Sequence, residues 1–156
     1  MRRRYLLLLA ACLLIPLLAA RPAAARTVVG AVNTNFRWLG PDDKIVVERY
    51  DDPAIAGVSC YVSRAETGGV SGMVGLATDP SRFSIACRQT GPIAIPPGLP
   101  KKQLVFTAAA APLFKALRVW RLVDRQKQVL VYLVVSTKLV RGSPYNSLSA
   151  VAYGTR

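Results

Sequence analysis

Short runs of β-branched and aromatic residues, separated by turn signals, recur along the chain and restrict its fold more than any other feature. Such runs, bounded by Gly, Pro and Asp, are typical of antiparallel β-strands. One turn is marked by Asp51, Asp52 and Pro53, because Asp accepts hydrogen bonds from nearby backbone amides and Pro fixes φ. The predicted strands are 28–32, 44–50, 58–63, 83–89, 103–108, 128–137 and 148–153.

One stretch, residues 113–123, is ambiguous between strand and helix. Leu117 and Trp120 would share one face of a helix, whereas the β-branched residues of the same stretch suit a strand. Residues 124–127 that follow have the composition of a hairpin loop. The chain is therefore predicted to be mainly β, an antiparallel sandwich or partly closed barrel with little helix over residues 26–156.

The first 25 residues carry the pattern of a secretory signal peptide. Three arginines at positions 2–4 precede an apolar stretch over residues 5–20, and residues 23–25 form a small-residue cleavage site. A retained membrane anchor is the alternative, but the apolar stretch is shorter than the roughly 20 residues that a spanning helix needs. We expect cleavage after Ala25, one exported domain over residues 26–156 in the periplasm, and no membrane span after cleavage.

Cys12 offers a second interpretation of the leader. Residues 9–12, Leu-Ala-Ala-Cys, match a bacterial lipobox in residue type. Cleavage at that point would leave the apolar residues 13–18 in the mature protein, although they look like the core of a signal peptide. Lipidation through Cys12 is therefore the less favoured alternative.

Two of the three cysteines, Cys60 and Cys87, remain after the predicted cleavage. In an oxidising compartment an even number of cysteines normally forms disulfides, so we expect these two to pair. Two free buried thiols are the alternative. A bridge over this span stabilises the fold by about 3–4 kcal/mol in the chain-entropy model.

The absence of histidine removes much of the chemistry available to enzymes. It excludes the Ser–His and Cys–His pairs and every histidine metal ligand, and three cysteines cannot supply a four-cysteine zinc site. The paired carboxylates Asp42/Asp43 and Asp51/Asp52 stand next to Pro, which favours turn capping over glycosidic chemistry. Lys138 lies near several serines, but no Ser-x-x-Lys motif is present. We predict no catalytic residues, no metal and no cofactor.

Charge is divided unevenly along the predicted domain. Five basic and seven acidic residues give a net charge of −2 over residues 26–79, whereas twelve basic residues and one acidic residue give +11 over residues 80–156. Arg121, Arg125 and Lys127 would align on one side of a strand and its hairpin, forming a candidate basic patch. Export argues against nucleic acid, so the expected partner is a protein or an anionic envelope component. A merely solvated basic surface is the alternative.

A glycine-rich segment, residues 68–75, is a candidate binding loop. Gly68, Gly69, Gly72 and Gly75 make a regular element costly, because glycine loses more backbone entropy on folding than other residues. The segment lacks the Gly-Lys-Ser/Thr ending of a phosphate-binding loop. A flexible turn is the alternative to a ligand loop.

Aromatic side chains within or beside the predicted strands are most simply explained as core residues. Strand-forming aromatic residues usually bury their rings between sheets. An exposed aromatic platform for sugars is the alternative. The residues concerned are Trp38, Tyr61, Phe83, Trp120 and Tyr132.

Several sequence blocks, in order, resemble the CreA family of bacterial periplasmic proteins. The blocks are residues 29–36, 40–47, 50–53, 57–64, 67–69, 84–89, 91–93 and 136–151, so the resemblance extends over about residues 28–153. It implies a periplasmic location and the two matching cysteines. It implies no activity, and the family's link to catabolite regulation rests on its name. We therefore expect a non-enzymatic exported protein that binds a protein or an anionic envelope partner; a small-molecule or polysaccharide binder, or less favoured a hydrolase, is the alternative.

Overall fold

Eight strands in two antiparallel sheets form most of the residues that the computed structural model describes, which are 25–73, 79, 81–111 and 115–154. The first sheet has the order β1 (Arg26–Asn35), β2 (Asp43–Asp51), β3 (Val58–Glu66) and β4 (Phe83–Gln89). The second has the order β5 (Lys102–Ala111), β6 (Lys115–Asp124), β7 (Val129–Ser136) and β8 (Asn146–Ala152). The mainly β prediction is confirmed, and within these residues the sheets form a sandwich rather than a closed barrel.

From Lys115 on, the ambiguous stretch is a strand, because β6 buries every second residue from Leu117 to Val123. Leu117, Val119 and Val123 face the core, and Trp120 lies opposite Leu104 on one side and Leu133 on the other. This period of two suits a strand between two neighbours.

The predicted signal peptide and Cys12 lie outside the described residues, apart from Ala25. In the glycine-rich segment a five-residue helix, α1 (Gly69–Met73), corrects the expectation of an irregular turn. Its first hydrogen bond runs from Gly72 N to Gly68 O at 3.2 Å. Within the described part of the chain, no helix is long and apolar enough to cross a membrane.

The core lies between the two sheets and draws on both. Tyr50 on β2 stacks on Phe106 of β5 with ring centroids 4.4 Å apart, and Leu130 and Val134 of β7 are fully buried nearby. Burying side chains of this size stabilises a fold by about 1.5–3 kcal/mol each, before the cost in conformational entropy.

At one side of the sandwich an edge strand of the first sheet contacts an edge strand of the second. The remaining edge strand of each sheet lies at the opposite side. Strands β4 and β8 run side by side, and Cys87 N donates to Ser149 Oγ at 2.8 Å across this seam. The opposite edges, β1 and β5, each pair with only one strand among the described residues, and all ten residues of β1 are exposed.

Candidate binding surface

The two cysteines of the predicted domain form a disulfide, as the sequence indicates. Cys60 on β3 and Cys87 on β4 are register partners, and their Sγ atoms are 2.06 Å apart. Because Cys87 N points away from β3 and donates to Ser149, the two cysteines occupy a non-hydrogen-bonded pair, where side chains approach most closely. The bridge therefore links neighbouring strands next to the seam between the sheets.

The predicted basic patch is wrong in one of its three members, because Arg121 is completely buried. Its Nη1 contacts both carboxylate oxygens of Asp52 at 2.6 and 2.7 Å, and its Nη2 donates to Gln103 Oε1 at 2.6 Å. Tyr132 OH donates to the same carboxylate at 2.8 Å; burial, together with the negative charge of Asp52, raises the pKa of Tyr132. Arg121 faces inward because its position in the β6 alternation is a core position, and Asp52 compensates its charge.

A second buried ionic group lies within the first sheet. Glu48 is fully buried and accepts hydrogen bonds from Arg64 Nη2 and Tyr50 OH, each at 2.7 Å, with Arg26 Nε at 3.2 Å. Burial disfavours the carboxylate, but these donors outweigh burial and lower the pKa of Glu48. The charges of both buried groups are therefore compensated within the protein, and neither group is available to a ligand.

The exposed cations of the second sheet lie on its outer face and in the β6–β7 turn at the end of that face. Arg118 on β6 is exposed. If this stretch is a strand, the sequence predicts that Arg118 points away from Arg121, so Arg118 is not part of the predicted patch. Arg125 and Lys127 lie in the exposed β6–β7 turn, where Arg125 Nη2 donates to Leu99 O at 2.9 Å and Lys127 N donates to Asp124 Oδ1 at 3.0 Å. We call the outer surface that carries these cations the cationic face; its members are Lys101, Lys102, Arg118, Arg125 and Lys127.

An apolar row crosses the cationic face. In register from β5 to β8 it consists of Leu104, Trp120, Leu133 and Leu148. Leu148 is 63% exposed and Leu104 is 41% exposed. Lys102 Nζ lies 5.6 Å from the centre of the Trp120 ring, in reach of a cation–π contact. Beside the row is a concavity of about 730 Å³.

The lining of that concavity combines charge and apolar surface, since three cations and one carboxylate surround Leu122 and Val131; the charged residues are Lys101, Lys102, Arg125 and Asp124. Such a mixture fits an anionic group that also carries apolar or aromatic surface. The cationic face is thus the described surface best suited to an anionic partner.

Close packing explains the glycines of the candidate loop. Gly69 N donates to Pro41 O and Gly68 N to Asp43 Oδ1, both at 2.7 Å. A Cβ atom on Gly68 would overlap Pro41 O, and one on Gly72 would overlap the carbonyl of the preceding turn. Gly75 lies outside the described residues. Glycine is thus required at 68 by the approach of another backbone segment, at 72 by the turn before α1 and at 69 by a positive φ, while ligand binding by the loop stays a prediction.

The carboxylates and the lysine considered as candidate catalytic groups form hydrogen bonds or ion pairs within the fold. Asp52 Oδ1 accepts from Ala54 N and Ile55 N at 2.8 and 3.0 Å, which is the predicted turn capping. Lys138 Nζ contacts Asp79 Oδ1 at 3.0 Å, so the ammonium group that a Ser–Lys hydrolase would need is held by a carboxylate. Among the described residues, no group of three or more Cys, Asp or Glu side chains is arranged to hold a metal ion.

The lowered pKa values of two partly exposed carboxylates, Asp43 and Asp79, predict how stability depends on pH. Hydrogen bonds from Arg37 and Gly68 lower the pKa of Asp43 from 3.8 to about 2, and those from Ser81 and Lys138 lower the pKa of Asp79 to about 2. Depressed carboxyl pKa values stabilise the fold above the unfolded pKa, and this stability is lost as the pH falls through the folded pKa. We expect the melting temperature to fall between about pH 4 and pH 2. An Asp43→Asn variant should show a shallower fall, and an equal slope would contradict the assignment.

The aromatic residues do not all lie in the core, and Trp38 is the clearest exception. Tyr132 is completely buried, but Trp38 is 92% exposed and meets Phe36 edge to face, with ring centroids 5.6 Å apart. Of the others, Phe83 packs partly against the core, while Tyr61 and Trp120 lie on outer faces. The sequence signal for Trp38 is its place just before the Gly40-Pro41 turn, outside any alternating pattern.

The fold and this surface define a disulfide-linked, two-sheet β-sandwich with a cationic outer face. The family model described as CreA protein matches residues 29–155. The chain belongs to the CreA protein family, which confirms the resemblance seen in the sequence. Protein CreA of Escherichia coli strain K12 is 46% identical over 134 residues, covering 83% of this chain and 85% of that protein. Protein CreA of E. coli O6:H1 and that of O157:H7 match to the same extent. No solved structure matches the chain.

Proposed function

We propose that this CreA-family chain is exported to the periplasm and acts there, without catalysis, by binding an anionic partner of the envelope through the cationic face. The signal-peptide pattern of residues 1–25 supports export, and the Cys60–Cys87 disulfide is compatible with it. The lack of histidine supports a role without catalysis.

A single observation carries the choice of surface: the cations of the cationic face have no carboxylate partner among the described residues. Lys102 lies over Trp120 and Arg125 donates to a backbone carbonyl, and Asp124 is the one carboxylate beside them, so the face keeps a net positive charge. Unpaired charges of one sign raise the local concentration of counter-ions and accelerate the encounter with an opposite charge. The apolar row between them adds contact area that excludes water.

A second candidate is an acidic small molecule or an acidic polysaccharide. The concavity of about 730 Å³ lies within the usual size range of ligand sites, and Trp120 stands beside it. A sugar ring packed on this aromatic surface would place its acidic groups near Lys101 and Lys102. The same charge variants test both candidates, and the identity of the captured species separates them.

We expect charge reversal on the cationic face to weaken capture. Crosslinking in the intact envelope should recover a partner at low salt and much less at high salt, because salt screens exposed charges. Lys102→Glu/Arg118→Glu should weaken binding by roughly tenfold or more, since each cation near an anionic surface contributes about 1 kcal/mol.

Arg118→Glu and Arg88→Glu form a matched pair for this experiment. Both arginines are exposed on strands, but Arg88 lies on β4 of the first sheet. Arg118→Glu should weaken capture and Arg88→Glu should leave it unchanged. Equal capture at both salt concentrations and in all variants would refute binding through the cationic face.

A further inference from the structure

Three connections meet at one end of the sandwich. The β1–β2 connection, residues 36–42, is tied to the segment before α1 by the hydrogen bond from Gly69 N to Pro41 O. Asp79 lies at the same end, because Arg82 N donates to Asp79 O and Arg82 O accepts from Ala65 N at the end of β3. Lys138 of the β7–β8 connection binds Asp79. We call this end the loop end; the β6–β7 turn is at the opposite end, since β7 runs from that turn towards Lys138.

The loop end gathers exposed apolar side chains. It holds seven of the thirteen large apolar side chains that are exposed in the described part of the chain: Phe36, Trp38, Leu39, Val70, Leu139, Val140 and Tyr145. Leu139 is 96% exposed and Trp38 is 92% exposed. Exposure of this many large apolar groups in one place marks an interaction site, because the largest apolar patch on a protein is often functional.

The β1–β2 connection is held in one conformation by polar contacts beneath its apolar tip. Arg37 donates from Nε and Nη2 to the two oxygens of Asp43 at 3.0 and 2.7 Å, and its backbone N donates to Asp42 Oδ1 at 2.9 Å. Asp43 also accepts from Gly68 N at 2.7 Å. A tip fixed in advance loses little conformational entropy when it binds.

The form of the loop end fits a lipid bilayer better than a protein surface. The exposed side chains project from separate connections, and each would need its own pocket on a protein, whereas a fluid bilayer accepts them without a matching shape. Trp and Tyr prefer the membrane interface, where an apolar ring and a polar edge are both satisfied. Lys138 lies over the Tyr145 ring, 5.6 Å from its centre.

Cations slightly outnumber carboxylates beside these tips. Arg37 and Lys138 are paired with Asp43 and Asp79, and Asp42 accepts from Arg37 N. Arg82 and Arg141 are exposed and have no carboxylate partner among the residues described. Anionic lipid headgroups attract such residues by about 1 kcal/mol each. Embedded apolar tips combined with nearby cations are the usual basis of peripheral membrane binding.

We propose that the loop end docks on an anionic bilayer, with Trp38 and Leu139 embedded in its interfacial region. This docking rests on the exported location in the proposed function, but it uses a surface separate from the cationic face. The docked protein is peripheral, and its attachment is reversible.

Vesicles of phosphatidylethanolamine and phosphatidylglycerol test the docking. The exported protein should sediment with these vesicles, and Trp38→Ser/Leu139→Ser should weaken binding by about tenfold or more because two embedded side chains are lost. Val29→Ser is the control, since Val29 is a 58% exposed apolar residue on β1, outside both the loop end and the cationic face. Both variants should keep the thermal stability of the parent protein, because the replaced side chains are exposed.

Fluorescence reports on the position of Trp38 directly. The chain has two tryptophans, so Trp120→Phe leaves Trp38 as the only tryptophan, which is excited selectively beyond the absorption band of the tyrosines. Its emission should shift to shorter wavelength on these vesicles and be quenched by brominated lipid chains.

Each other outcome overturns the docking proposal. Failure of the exported protein to bind vesicles does so, and crosslinks from position 38 to a protein would then identify the alternative partner. Vesicle binding without a change in the emission wavelength of Trp38 also overturns the proposal. If Leu148→Ser and Arg118→Glu lose vesicle binding while Trp38→Ser keeps it, the cationic face is the lipid site, and the proposed function survives without the loop end.

Discussion

Replacement of Asp52 by Asn should lower the free energy of unfolding by about 3–5 kcal/mol, because it leaves the charge of a buried arginine uncompensated. The Asp52 carboxylate receives both Arg121 Nη1 and Tyr132 OH, and it also caps the β2–β3 turn through Ala54 N and Ile55 N. One side chain therefore joins a turn of the first sheet to two strands of the second. Chemical denaturation of the purified variant measures the loss.

Asp51 provides the control for this substitution. It is the adjacent residue and also accepts hydrogen bonds, but its side chain is 54% exposed. Asp51→Asn should cost no more than about 1 kcal/mol, in line with exposed ion pairs and hydrogen bonds. The double variant Asp52→Asn/Arg121→Met should be more stable than Asp52→Asn alone, since it removes the stranded charge. Equal losses of unfolding free energy in Asp51→Asn and Asp52→Asn would show that the buried Asp52–Arg121 pair stabilises the fold no more than an exposed carboxylate does.

Removal of the disulfide has the second large effect that we expect. Cys60→Ser/Cys87→Ser should lower the free energy of unfolding by about 2–4 kcal/mol, mainly because the unfolded chain regains the freedom of the closed loop. The two cysteines are 27 residues apart in sequence, and the loop between them includes the glycine-rich segment. Denaturation with and without reductant measures this contribution, and reductant should bring the parent protein close to the variant.

A neighbouring pair on the same two strands separates the covalent effect from ordinary cross-strand contact. Ser63 and Ser84 are register partners on β3 and β4 whose hydroxyl groups are 2.8 Å apart at the surface. Ser63→Ala/Ser84→Ala should cost less than about 1 kcal/mol. If reductant leaves the protein isolated from cells unchanged and both cysteines react with an alkylating agent before unfolding, the cysteines are free thiols in that protein.

The alternation of residue types predicted the strands well, because burial of one face of a sheet leaves a period of two in the sequence. Even the ambiguous stretch obeys this rule, since Leu117, Val119 and Val123 are all buried. The same alternation places Arg121 on the inner face. Its charge nevertheless led to a surface assignment, because the compensating Asp52 is 69 residues away in the chain. Local pattern contains no information about which distant partner will neutralise a buried charge.

The position of Trp38 shows a different limit of sequence pattern. An aromatic residue next to a predicted strand is normally buried, and no periodicity marks the exceptions. Trp38 is exposed because the β1–β2 connection is held by Arg37, Asp43 and Gly68, contacts that involve a segment after β3. The pairing of the two sheets along β4 and β8 likewise depends on contacts such as Cys87 N with Ser149 Oγ, which no local signal reveals.

The opposite placement of the loop end and the β6–β7 turn determines how far the protein would reach from a lipid surface. All strands run between these two ends. In a protein attached by Trp38 and Leu139, the strands would therefore lie roughly along the membrane normal. The eight residues of β7 then span about 26 Å along the membrane normal at about 3.3 Å per residue. Arg125 and Lys127 would be held at that height, facing away from the bilayer to which the protein is attached. If the protein docks in this way, the sandwich acts as a rigid spacer that presents positive charge on the side away from the bilayer.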